Sequence, residues 1–208
     1  MKTLAWLVIV AVFGLAFGAC GTRVMVPPEI NLVDHEVLGV IEIRSSVRGE
    51  LGAITTRKLI EAVRRDQGMV RIVRLGTERQ ILGELGVRQL DDMAFRKLGD
   101  TRRLKTILLG ELTISDVRPN ISIAPDLGSA SITAEVDATL SVEMIETRTG
   151  ASLWSASAAQ TQTVGQISVI GGRNFVFDAA DPERAYGPLV NSLVAVVARD
   201  FQVSWVRQ

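Results

Sequence analysis

Few side chains in this sequence could do covalent, acid–base or metal chemistry. One cysteine, Cys20, and one histidine, His35, occur in 208 residues. That supply supports neither a disulfide nor a zinc site built from Cys and His. His35 follows Asp34, but a catalytic triad needs partners that converge in space on a nucleophile, not neighbours in sequence. A solvated turn is the expected setting for that pair. Asp91-Asp92 is of the right type for a cation, yet adjacent carboxylates at a helix start are better explained as a cap that the helix dipole favours. The glycine-rich phosphate loop, the dinucleotide fingerprint and the nucleophile elbow of hydrolases are all missing from the sequence. No catalytic, cofactor-binding or metal-binding residue is assigned, and the chain is expected to be non-enzymatic and without cofactors.

Cys20 is different because of what precedes it. Lys2 is followed by Leu4 to Ala19, an uncharged and mostly apolar run that ends in small residues. A positive start, an apolar core and a small-residue end form a secretory signal pattern. The run falls short of the ~20 residues that a membrane-spanning helix needs. Leu15-Ala16-Phe17-Gly18-Ala19-Cys20 resembles a bacterial lipoprotein signal, with Phe17 where Leu is usual. That resemblance implies cleavage after Gly18 and Ala19, and diacylation of Cys20 as the new first residue. Gly21, rather than Asp, after the cysteine implies outer-membrane residence. Residues 1–19 are thus read as a signal peptide, and only one charge, Lys2, leaves with them.

Charge then excludes further classes. Lys+Arg and Asp+Glu both number 23, so the basic surplus of a nucleic-acid binder is missing. With 47% hydrophobic and 22% charged residues, the chain has the composition of a folded domain rather than a disordered tail. The basic positions Arg57, Lys58, Arg64 and Arg65, and likewise Arg102, Arg103 and Lys105, read as solvated surface. Trp154 and Trp205 read as core or rim packing groups.

The elements that must position these residues follow from periodicity. Residues 20–35 carry Pro27-Pro28 and no strand or helix pattern, so they read as the acylated cysteine and an extended tether with about 48 Å of reach. Residues 36–208 form the folded domain. Val37 to Ile43 is a nearly continuous β-branched run, as in a buried central strand. Leu51, Ile54, Leu59, Ile60 and Val63 follow at helical spacing, closed by Gly68. Val70 to Leu75 is the next strand. Thr77 and Gln80 have capping-box form before a helix. A second short helix spans Asp91 to Leu98 and is expected to end at Gly99. Thr106 to Ile114 is again a strand, with Gly110 allowing a close neighbour.

The second half changes character. From Ser131 to Ile145, apolar and polar residues alternate, so this is a long strand with one wet face. A turn at Thr147-Arg148-Thr149-Gly150 returns the chain as a hairpin partner from Ala151 to about Val164. Gln166 to Ile170 and Asn174 to Phe177 flank Gly171-Gly172-Arg173 as a smaller hairpin or flap. Its residues Ile167, Val169, Ile170, Phe175 and Phe177 are the candidate interface. Asp181-Pro182-Glu183 starts a helix whose apolar face holds Tyr186, Leu189, Val190, Leu193, Val194, Val197 and Phe201. The order β-α-β-α-α-β-β-β-α predicts one α/β (α+β) domain: a mixed sheet with a parallel start, a long antiparallel hairpin, and the C-terminal amphipathic helix packed on it.

Taken together, the chain resembles the curli-secretion-channel (CsgG-like) lipoproteins and relatives sharing their periplasmic α/β domain. The features that carry the likeness are the cysteine and proline-containing linker, the strands Leu38 to Ile43 and Val70 to Leu75, and Glu84 with the short helix to Leu98-Gly99. To these add Ile107-Leu108-Leu109-Gly110-Glu111-Leu112, the hairpin Glu146 to Trp154, and the terminal helix. The resemblance implies an outer-membrane lipoprotein, membrane-bound through acylated Cys20, with its domain facing the periplasm. It further implies a homo-oligomer working with other envelope export or assembly proteins, and no nucleic-acid partner. Channel members insert long hairpins, and each spanning strand takes ~9–11 residues. Here Val117 to Ser131 is interrupted by Pro119, Pro125 and Gly128, and the arms of Gln166 to Phe177 are short, so a periplasmic ring or accessory subunit is expected. The alternatives are a periplasmic regulator that binds a peptidoglycan synthase, which needs a longer tether, and a periplasmic enzyme.

Overall fold

The computed structural model describes residues 22–116, 118–123, 130–168 and 182–207. The described residues divide into two units, one within 28–202 and a smaller one holding residues 22–27 together with 203–207.

The larger unit is built on a mixed sheet. Its strands are β2 (Val37–Ile41), β3 (Arg44–Ser45), β4 (Arg71–Gly76), β5 (Thr106–Ile114), β6 (Arg118–Ile123), β7 (Ala130–Glu146) and β8 (Ser152–Ser168), β1 being the first strand of the smaller unit. β2 runs parallel to both β4 and β5, as the predicted strand–helix–strand start requires. β5, β6 and β8 all pair antiparallel with β7. Among the described residues β4 and β8 therefore lie at the two lateral edges, and β6 also has one side without a partner strand. The helices are α1 (Leu51–Arg64), α2 (Glu78–Leu85), α3 (Asp92–Arg102) and α4 (Pro182–Val197). This is the mixed α/β architecture the sequence predicts.

Two cores sandwich the sheet. One holds Leu38, Val40, Leu140, Val142 and Met144 against Leu59 and Val63 of α1 and Leu189, Leu193 and Val197 of α4. The predicted apolar face of α4 is buried throughout, and Phe201 in the following 3-10 turn is fully enclosed. The other core packs Ile41, Leu75, Ile107 and Ile145 against Ile81, Phe95 and Leu98 of α2 and α3. Thr77 and Gln80 make the expected capping box. Asp91 caps α3 by accepting a hydrogen bond from the Ala94 N–H at 2.9 Å.

Four local expectations are corrected. Gly99 does not end α3, which continues to Arg102 and is closed by Arg103 in the left-handed conformation, φ 55°. Gly99 instead serves close packing: a Cβ there would lie 2.6 Å from the Thr147 side chain. Second, Pro119 does not prevent a strand: β6 pairs with β7 from Arg118↔Glu135 to Ile123↔Ala130, and among the described residues no strand lies beyond it, the edge position in which a proline is tolerated. Third, the return strand does not stop near Val164; β8 continues past a register shift there to Ser168. Fourth, part of the expected tether is ordered. Leu32 is fully buried within a 3-10 turn at Leu32–His35.

Gln67, itself buried, holds that turn in place. Its Nε2 donates to the carbonyls of Ile30 at 2.8 Å and Phe201 at 2.7 Å, while its Oε1 accepts from the Leu32 N–H at 2.7 Å.

The smaller unit is a two-stranded antiparallel ribbon, β1 (Arg23–Val26) with β9 (Ser204–Arg207).

Candidate functional site

Backbone groups along a sheet edge are hydrogen-bonding groups without a ladder partner, so an edge strand is the first place to look for contact with another molecule. Among the described residues β8 is such an edge, seventeen residues long. It contains no Asp, Glu, Lys, Arg or Pro: Ser-Leu-Trp-Ser-Ala-Ser-Ala-Ala-Gln-Thr-Gln-Thr-Val-Gly-Gln-Ile-Ser. Register shifts against β7 fall at both ends, between Met144 and Ile145 and between Ala134 and Glu135. They leave Leu153 and Val164 without an opposite residue, as in β-bulges, and bracket a regular run from Trp154 to Thr163.

The two faces of that run differ. Towards α4, the side chains are Trp154, Ala156, Ala158 and Gln160, the alanines small enough for the helix to pack on the strand. Trp154 meets Phe201 edge to face at 4.7 Å, and its Nε1 donates to Asp200 Oδ2 at 2.9 Å. The other face is wet and rich in hydroxyls. Ser155, Ser157, Ala159, Thr161 and Thr163 are exposed there, beside Glu143, Ser141, Thr139 and Asp137 of β7. Rungs tie the strands together: Ser141 and Ser157 hydroxyls lie 3.0 Å apart, and Thr161 donates to Asp137 at 2.6 Å. Asp137 is also paired with Arg118 of β6. This is the alternation predicted for β7, carried onto its partner.

Gly110 shows how tightly the interior of the sheet is built by comparison. A Cβ on it would sit 2.6 Å from the Ser141 carbonyl oxygen of β7.

Two clefts adjoin the hairpin. The first, about 730 Å³, opens on the wet face between Phe95 of α3 and Ser141 and Ser157. At its rim Arg44 bonds Glu111 at 2.9 Å and Glu78 at 3.4 Å. The hydrogen bond to Glu111 raises the Arg44 guanidinium further above its ordinary value, helped by the charge of Glu111 and weakly by Glu78. With Glu42 and Glu143 also lining it, the cleft is acidic. The second cleft, about 850 Å³, lies where β2 and β5 begin. There His35 Nδ1 is 2.9 Å from Thr106 Oγ1, and Lys105 bonds Glu36 at 2.6 Å. His35 is thus half-buried beside a threonine rather than in a fully solvated turn. Among the described residues, no group of three or more His, Cys, Asp or Glu side chains could hold a metal ion.

Of the residues assigned from sequence, Gly18, Ala19 and Cys20 lie outside the described residues, as do Val169, Ile170, Phe175 and Phe177. Ile167 is in β8, opposite Ile132. Asp91 is a cap, as expected. Trp154 packs as predicted, whereas Trp205 is 62% exposed. The edge itself was not singled out from sequence, although one signal was present: residues 149–172 contain no charged residue. No described helix is long and apolar enough to cross a membrane.

No protein-family model matches the chain, and no curated protein matches it. Solved structures do resemble it. The PelC dodecamer from Paraburkholderia phytofirmans is 15% identical, with a TM-score of 0.46 over 90% of this chain and 99% of that one. The LpoB C-terminal domain from Escherichia coli is 17% identical, with a TM-score of 0.38 over 62% of this chain and 84% of that one. Lipoprotein GNA1162 from Neisseria meningitidis is 16% identical, with a TM-score of 0.32 over 76% of this chain and 94% of that one. At these identities and TM-scores the likenesses carry no functional argument.

Proposed function

We propose that this chain is a lipid-anchored lipoprotein of the bacterial outer membrane, with its folded part in the periplasm. In this reading it works without catalysis, as an oligomeric component of an envelope export or assembly machine. The observation that carries it is the edge of β8. A long, regular, uncharged antiparallel edge with no proline is a template for another strand, and soluble monomers ordinarily blunt such an edge with charge, proline or brevity. Copies that pair along β8 satisfy its outward backbone groups and extend the wet face from one subunit to the next. The position of Cys20 directly after the apolar leader supports the anchor.

Native mass measurement of the acylated protein in detergent is the test. A multi-subunit species is expected, and a strictly monomeric one at high concentration overturns the proposal. Capture from envelope extracts adds the partner: export proteins are expected, whereas a peptidoglycan synthase recovered in their place would favour a regulatory role.

A further inference from the structure

The β1–β9 ribbon has the wrong composition for a surface facing water. Its register pairs Arg23 with Arg207, Val24 with Val206, Met25 with Trp205, and Val26 with Ser204. Every residue in both strands is exposed. Met25 is 56% exposed, Trp205 62% and Val206 53%. Alternation along a strand and direct pairing across it place Met25, Trp205, Arg23 and Arg207 on one face. Val24, Val206, Val26 and Ser204 occupy the other. One face is therefore apolar but for Ser204, the other joins Met25 and Trp205 to two arginines, and a two-stranded ribbon alone is marginally stable in water.

Charge and chain length name the surface that covers it. Arg23 and Arg207 stand directly opposite each other, an arrangement that destabilises a strand pair unless an anion lies between them. Among the described residues neither forms an ion pair. A phosphodiester headgroup supplies the missing anion, and two guanidinium groups suit it geometrically. Trp beside an apolar side chain and Arg at the end of the same face is the composition that settles at a bilayer interface. Cys20 is only three residues before Arg23, which limits the separation to about 10 Å.

We propose that the β1–β9 ribbon is a membrane-surface contact, with Trp205 and Met25 at the headgroup level and Arg23 and Arg207 on lipid phosphates. This rests on the reading of Cys20 as the acylated residue. It adds to that reading a second point of attachment, one that fixes how the chain leaves the membrane.

The test is tryptophan emission of the full-length protein, purified after processing and placed in phosphatidylethanolamine–phosphatidylglycerol vesicles with brominated acyl chains. The same measurement on Trp205→Phe isolates the Trp205 signal. Most of that signal is expected to be quenched and the remainder shifted to the blue, and R23E/R207E is expected to restore it. Unquenched emission at the wavelength found in detergent overturns the proposal, because the ribbon then stays in water. Blue-shifted but unquenched emission overturns it too, because the ribbon is then covered by a second copy. The intact mass reports acylation of Cys20 separately. If no acyl mass is present, flotation of the unmodified protein with the same vesicles decides: salt-sensitive binding lost in R23E/R207E upholds the ribbon contact, and no binding overturns it.

Discussion

The two lateral edges of the sheet are protected to very different degrees. β4 is six residues long, pairs parallel with β2, and carries exposed Arg71 and Arg74. A partner strand laid against it would have to accommodate two guanidinium groups on a short ladder, so the edge discourages pairing. β8 is nearly three times as long and has no charge at all; its only irregularities are the bulges at its two ends. The difference teaches where, among the described residues, this fold is closed and where it is open. One edge is finished by charge and brevity, and the other is left as a regular, small-residue ladder backed by α4.

The largest expected effect breaks that contrast directly. Ala159 and Thr163 are exposed on the wet face of β8, so A159K/T163K gives this edge the kind of charge that β4 already carries. Loss of the oligomer to monomer is expected by native mass, with circular dichroism unchanged. V73K on β4 is the matched control and is expected to leave the assembly intact. Oligomer loss in both variants would mean that the edges do not differ in the way described.

Interior positions sharpen the comparison, since they should respond in stability rather than in assembly. Replacing Gln67 with Ala leaves the Leu32 N–H and two carbonyls without their partner, and a loss of about 3 kcal/mol is expected in denaturant titration. Gly110→Ala pushes a methyl group against the Ser141 carbonyl and separates β5 from β7; a loss of about 2 kcal/mol is expected in the same measurement. The smallest effect belongs to the rim of the acidic cleft. Arg44 and its partners are substantially exposed, so R44A should change stability by no more than about 0.5 kcal/mol, less at high salt. A much larger loss would show that the ion pairs of Arg44 organise the wet face.

Much of this fold was legible because period and capping are local signals. The alternation identified both the buried and the wet face of β7 from Val136 to Met144, and the spacing of Leu189, Leu193 and Val197 identified the buried face of α4. The capping residues Thr77 and Asp91 were readable for the same reason. What escaped depends on partners distant in sequence. β6 was hidden by Pro119, which a strand tolerates at an edge, and among the described residues β6 has no strand beyond it. Gly99 looks like a helix stop until Thr147 is placed against it. The burial of Leu32 depends on Gln67 and on the carbonyl of Phe201, far along the chain. β1 and β9 are too short to show a period alone and become a ribbon only when the two ends of the chain meet. The openness of β8 was written in its lack of charge, but an uncharged strand signals an edge only once its neighbours are known.

Native mass spectrometry of the acylated protein and of A159K/T163K, side by side in one detergent at one concentration, tests the account most directly. A multi-subunit wild type and a folded, monomeric variant are the predicted result. A wild type that stays monomeric, or a variant that assembles as the wild type does, would contradict the claim that copies of this chain meet along β8.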